Sequence, residues 1–280
     1  MGVIKHAIDF ASDAAGLEKS LRLMQALCQI FAFYPRVLGV VLAGVGMGGV
    51  GATGGKGVDG RIGVVEGLWR ARREVAVGRR YLRFFRFIEN FSKAWDSLCN
   101  EDGLKMLTGV GKSGFMGAYL GLESLTILDM MGICSTPWSS TCILEGNKFW
   151  FYSLCISIFG GFVDLFEIYH SHDSNHVDAD TPDSTSTQNP TTTSQNIEDK
   201  PPSIAPISSS EITRPNSKRQ KARSTTEILL KIIENAADLI IPGAVTGWII
   251  TDAGIIGVAT VISTVLSSGE IWRRVGDGKL

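Results

Sequence analysis

RRYLRFFRFIENFSKAWDSL, residues 79–98, carries the pattern on which the reading of this chain turns. Wound at about 100° per residue, Ala94, Phe87, Leu98, Phe91, Phe84, Trp95, Ile88, Tyr81 and Phe85 gather on one half of a helix. Arg79, Arg83, Arg86, Asn90, Lys93 and Ser97 hold the other half, with Arg80 and Leu82 out of place. Rings opposite cations describe a helix lying in a membrane surface, its aromatics in the acyl boundary and its cations at lipid phosphates. The same pattern also fits a helix that turns its rings to a bundle core and its cations to water. Upstream the charge continues, since residues 61–86 hold eight arginines against two glutamates, a local charge of +6.

The rest of the chain bears on that choice. Its 280 residues are enough for one or two domains with a real core. A net charge of −1 argues against a globally basic nucleic-acid binder. Only 20% of the residues are charged and the mean hydropathy is +0.14, which leans towards a membrane. Cys28, Cys99, Cys134, Cys142 and Cys155 are odd in number and scattered, with no CxxC pair, so neither a disulfide scaffold nor a zinc module is expected. The opening MGVIKHAIDFAS lacks the basic-then-apolar plan of a secretory leader, and His6 stands where myristoylation needs Ser or Thr. Gly278-Lys279-Leu280 is one residue away from a peroxisomal S-K-L address.

Six stretches follow from composition. Residues 1–38 read as N-terminal helix, with Leu17, Leu21, Met24, Cys28 and Phe31 on one face that suits a bundle core, a break at Gly16 and a stop at Pro35. Residues 39–63 are dominated by glycine and read as a flexible loop; Gly44-x-Gly46-x-x-Gly49 matches a dinucleotide fingerprint only formally, without a βαβ rhythm around it. Residues 64–100 hold the basic amphipathic helix. Residues 101–169 are rich in small residues, include Gly117-x-x-x-Gly121 as a close-packing motif, and end in the uncharged run Phe149–Val163, bounded by Asp164 and Glu167. That run is shorter than the roughly twenty apolar residues of a full span, and Lys148, Trp150, Tyr152 and Tyr169 flank it as interfacial anchors. Residues 170–226 carry six of the nine prolines with many Ser, Thr, Asn and Gln, and read as a disordered linker. Within it lie His170, His172 and His176 beside Asp173, a poor preformed metal site on a polar tether, and the basic group Lys218, Arg219, Lys221 and Arg223. Residues 227–280 contain the second apolar segment, 239–268, with Asp252 as its one charge. A hairpin turning at Thr251-Asp252-Ala253-Gly254 keeps that acid at an interface, and Gly243-x-x-x-Gly247 offers close helix contact.

No catalytic set stands out. GxSxG and HExxH are missing, Gly111-Lys112-Ser113 lacks the upstream glycine of a phosphate loop, and three of four histidines fall in the linker. Glu123, Asp129 and Glu145 are expected to cap or decorate helices. The expectation is an all-α helical membrane protein with amphipathic helices, two short apolar membrane segments and a disordered linker, without enzymatic activity, metal or cofactor.

Three blocks in this order resemble the fungal form of the peroxin-11 family of peroxisomal membrane proteins. They are Gly16-Leu17-Glu18-Lys19-Ser20-Leu21-Arg22-Leu23-Met24-Gln25, Gly78-Arg79-Arg80-Tyr81-Leu82-Arg83-Phe84-Phe85-Arg86-Phe87, and Asp238 to Pro242 continuing through Gly247-Trp248 to Val261-Ile262-Ser263. Gly111-Lys112-Ser113 to Leu128-Asp129 fits between the second and third. The glycine-rich stretch and the long linker depart from the family's pattern. The resemblance implies a peroxisomal membrane protein that elongates the organelle and readies it for fission, associates with itself, and works with a dynamin-type GTPase and its membrane adaptor. On that reading Tyr81, Phe84, Phe85, Phe87, Ile88, Phe91 and Trp95 insert into an anionic leaflet, Arg79, Arg83, Arg86 and Lys93 meet headgroups, and Gly117, Gly121, Gly243 and Gly247 pack helices. The alternative is an oligomeric channel or metabolite pore with Asp164 or Asp252 facing water.

Overall fold

A computed structural model of the chain describes residue 6 and residues 9–44, 57–177 and 217–276. Among them run nine helices and no strand, in line with the all-α expectation: α1 Ala14–Phe33, α2 Pro35–Gly44, α3 Gly57–Leu82, α4 Arg86–Asn100, α5 Gly103–Leu125, α6 Ile127–Met130, α7 Ser139–Val177, α8 Ser217–Thr246 and α9 Ala253–Gly276. Helix α3 packs on α1, α1 on α9, α9 on α8, α8 on α7, α7 on α5 and α5 on α4. Helices α3 and α4 are joined in the chain by the turn at 83–85.

Among the described residues two helices are long and apolar enough to cross a membrane: Ser139–His170 within α7, mean hydropathy 1.6, and Ala253–Val275 within α9, mean hydropathy 1.5. We read these as the spans. The short run Phe149–Val163 is thus the centre of a longer helix, extended at both ends by residues that composition assigned elsewhere. Helices α1 and α2 meet the same measure only as a pair bent by 111°. The bend is local chemistry: α1 stops at Phe33, and Pro35, with its fixed φ and missing N–H, suits the first position of α2. At the other end Asp13, not Gly16, breaks the chain; its carboxylate accepts from the Gly16 N–H at 3.3 Å and caps α1.

The polarity of the helices is turned inside out. On α1 the buried residues are Gly16, Glu18, Arg22, Ala26, Gln29 and Ala32, while Leu17 and Met24 face outward. Of the apolar stripe assigned to a bundle core, Leu17 and Met24 are exposed and Leu21, Cys28 and Phe31 are half-buried, whereas the polar residues at 18, 22 and 29 are buried. Helix α9 repeats this: Thr260, Ser263, Thr264 and Ser267 are buried, and Ile255, Val258, Ile262 and Val265 are exposed. Its inner hydroxyls are satisfied by carbonyls one turn back, Thr264 donating to Thr260 at 2.6 Å and Ser267 to Ser263 at 2.8 Å. Where the surroundings are hydrocarbon, Leu and Val gain nothing by turning inward, whereas polar and small groups do.

The chain does turn between Thr246 and Ala253, with Asp252 exposed in the turn. Gly247 makes it possible by taking φ +77°, a left-handed conformation open to glycine. Gly247 therefore ends a helix rather than packing one, and Gly243 abuts Ile249 of the same turn. Of the other expected packing glycines, Gly117 lies under the Phe91 ring and Gly121 has open space beside its Cα. Close helix contact also falls elsewhere, at Gly254 and Gly257 of α9, where a Cβ would meet Phe33 at 2.6 Å and Ile30 at 2.8 Å of α1.

Residues 39–44 and 57–63 of the expected glycine loop are helical, and 45–56 lie outside the described residues. Residues 170–177 and 217–226 of the expected linker are helical as well, continuing α7 and beginning α8; the stretch between them lies outside the description. Gly111-Lys112-Ser113 is interior to α5, so no phosphate loop forms there.

Candidate membrane-facing site

The stretch 79–98 is not one helix. It breaks at Arg83-Phe84-Phe85, where Phe84 N–H bonds Tyr81 O at 3.3 Å and Arg86 N–H bonds Arg83 O at 3.0 Å, a tightened three-residue turn. No glycine or proline causes it. The carbonyl of Phe84 is captured by Ser124 Oγ of α5 at 2.9 Å, and Arg80 and Arg83, just before it, are drawn to Glu123.

Those arginines correct the first expectation. Arg79, 8% exposed, puts Nη2 2.7 Å from Glu18 Oε1 and Nη1 2.8 Å from Gln25 Oε1, both on α1. Arg83 Nη2 lies 3.1 Å from Glu123 Oε1, and Arg80 Nε reaches the same oxygen at 3.2 Å. Arg79 and Arg83 therefore face carboxylates inside the fold, not headgroups outside it. Glu123, expected to decorate a helix, receives two guanidiniums and the hydroxyl of Tyr119, the latter at 3.2 Å. Burial and the Glu123 charge push the Tyr119 hydroxyl up to about 12. Arg83 Nε is buried without a partner. A second buried pair, Arg22 with Asp238, joins α1 to α8, and Arg22 also donates to Ser263 Oγ of α9 at 3.2 Å.

Burial alone raises the Glu18 carboxyl, but the charge and hydrogen bond of Arg79 outweigh it and hold the group at about 2. A depressed carboxylate stabilises the fold above its ordinary value of 4.5, and that contribution is lost as pH falls towards 2. Unfolding of the parent and of Glu18→Gln in detergent, followed between pH 6 and 2, should therefore show a gap that closes below about pH 4.5. A gap independent of pH would disprove the pairing.

With its basic start tied inward, α4 offers an open apolar face. It lays Ala94 against α5, with Ser97 beside Gly109 and Phe91 over Gly117. Phe85 is 69% exposed, Trp95 65% and Ile88 56%; Tyr81 and Phe91 are also exposed, while Phe84 and Phe87 are half-buried. Arg86 and Lys93 remain on the surface, sharing Glu89 at 4.0 and 2.6 Å. Such exposed pairs hold little energy, on the order of 0.5 kcal/mol, so both cations are free to exchange partners. The site thus consists of an aromatic face, two available cations and a buried guanidinium–carboxylate latch at its hinge.

The acids considered for a pore lie on different elements. Asp164 is exposed on α7 and Asp252 is exposed in the α8–α9 turn. Among the described residues no group of His, Cys, Asp and Glu is arranged to hold a metal ion, and the five cysteines are free thiols.

The family model for Peroxisomal biogenesis factor 11 (PEX11) matches residues 60–272, which takes in the Arg80–Arg83–Glu123 cluster, α4, the first span and most of the second. No individual curated protein and no solved structure matches the chain. A match over most of the length, on a helical frame with two span-length helices, places this chain in the PEX11 family, whose members are peroxisomal membrane proteins involved in peroxisome proliferation.

Proposed function

We propose that this chain bends and elongates the peroxisomal membrane, favouring fission of the organelle, by inserting the apolar face of α4 into one leaflet. The observation that carries the reading is that Phe85, Ile88 and Trp95 are more than half exposed on a helix packed against α5, itself a neighbour of the span in α7. Rings entering one leaflet widen headgroup spacing there, which favours positive curvature. Arg86 and Lys93 add attraction to anionic lipid of about 1 kcal/mol each. The spans anchor the chain; α4 deforms the bilayer they fix it to. Self-association would concentrate such helices, and a dynamin-type GTPase with its membrane adaptor would then sever the narrowed tubule. On this reading the protein is not an enzyme, since its work is done by insertion.

The test is reconstitution of the full chain into anionic vesicles. The parent is expected to draw tubules; Phe85→Glu with Ile88→Glu should abolish them while leaving the protein inserted, since neither side chain supports the helix packing. Equal tubulation by parent and variant would end the proposal.

A further inference from the structure

The two spans run in the same direction, because each is antiparallel to α8. Near the start of α7, Phe151 and Tyr152 meet Trp248, which follows α8, with ring centres 4.9 and 5.7 Å apart. Further along α7, Gly161 abuts Ile232 and, more loosely, Ile228 of α8. Helix α9 leaves α8 through the turn at 247–252, and near its far end Arg273 Nη1 lies 3.5 Å from Glu227 Oε1. Residues 232–248 of α8 thus share the level of the uncharged stretch of α7. A chain cannot cross a bilayer twice in one direction without returning in between, and α8 is the helix that packs on both spans.

Mean hydropathy hides such a crossing, since α8 carries Lys231, Glu234 and Asp238. Their placement explains how a bilayer tolerates them. Glu234 and Asp238 are buried, whereas Leu229, Leu230, Ile233 and Val245 are exposed. A helix lying against water would show the reverse. This is the inside-out polarity of α9, a span by its own composition. Each buried acid also has a cation: Lys231 Nζ lies 3.0 Å from Glu234 Oε2, and Arg22 of α1 pairs with Asp238. Acids at membrane depth are accommodated when they face the protein interior and are paired.

We propose that α8 crosses the membrane between the two spans, with Leu229, Leu230, Ile233 and Val245 against acyl chains. The proposal rests on α7 and α9 as spans and not on insertion of α4. It places His170 at the end of α7 and Arg273 near the end of α9 on one side of the membrane, and Asp252 on the other. A hairpin of two crossings, with α8 lying outside the bilayer, puts His170 with Asp252 and Arg273 opposite.

The test is thiol labelling of the full chain in isolated peroxisomes. Its five native cysteines are replaced by serine and one cysteine is returned at a time. The reagent is a polyethylene-glycol maleimide too large to pass the membrane, added before and after the organelle is opened. His170→Cys and Arg273→Cys, both at exposed positions, should label from the same side, and Asp252→Cys from the opposite one. Ala236→Cys, also at an exposed position but midway along the crossing, should label from neither side and only after denaturation. Labelling of Asp252→Cys with His170→Cys, and apart from Arg273→Cys, overturns the proposal, as does labelling of Ala236→Cys in the native membrane. If Asp252→Cys labels with Arg273→Cys, α9 does not cross and the premise falls with the proposal. Tubulation by the α4 face is read separately and is unaffected by any of these outcomes.

Discussion

Asp238→Leu is expected to destabilise the fold by about 3–5 kcal/mol, whereas Asp238→Leu combined with Arg22→Met should return to within about 1–2 kcal/mol of the parent. Arg22 and Asp238 sit on α1 and α8, both almost wholly buried, and Arg22 reaches Ser263 on α9. Three helices thus meet at one guanidinium. Removing the carboxylate leaves a buried cation with one neutral hydroxyl for company, and the cost is chiefly that of the charge left behind. Removing both charges leaves two apolar chains of similar volume among Ala26, Ala259 and their neighbours. Unfolding by graded addition of a denaturing detergent would separate the cases. If the double variant is as unstable as Asp238→Leu alone, the pair is not what joins these helices.

That ion pair also marks the limit of what could be read from the chain. The helices themselves were legible: the recurrence of apolar residues along α1 and the uncharged core of α7 fall on helices, and the low-charge 239–268 on two helices and the turn between them. Which face of each helix turns inward was not. Leu17 and Met24 keep the same spacing whether they meet a protein core or lipid, so periodicity alone does not tell that they face outward. The signal lay in the complementary face, where Glu18, Arg22 and Gln29 repeat at helical spacing on a chain that has reason to sit in a membrane. The break at 83–85 was hidden for a different reason. Nothing between Arg79 and Leu98 disfavours helix, and the cause, Glu123 and Ser124, lies some forty residues on. Arg80 and Leu82, out of register with the two faces, were the hint that the pattern was two segments. The glycine motifs misled because spacing cannot tell a contact from a cap; Gly247 needs its positive φ, and Gly257 its empty side, for unrelated reasons.

Glu123→Gln should lower stability by about 3–5 kcal/mol and yet raise affinity for anionic vesicles. Glutamine keeps the length of the side chain and an acceptor for Tyr119, so the substitution removes charge and little else. Arg80 and Arg83 then lose the carboxylate they share, and Arg83, whose Nε already lacks a partner, is left as a buried cation with hydrogen bonding unmet. The cheapest relief is outward: the turn at 83–85 loosens and the two guanidiniums reach the surface that Arg86 and Lys93 already occupy. Two further cations at about 1 kcal/mol each correspond to a gain of roughly thirtyfold in binding to anionic vesicles, and to none on neutral ones. In this view the basic half of the 79–98 pattern serves two ends by division, its first arginines setting the hinge and its later cations meeting lipid. A variant that loses stability without gaining charge-dependent binding would show that Arg80 and Arg83 stay inside when Glu123 is gone, and that the latch is structural only.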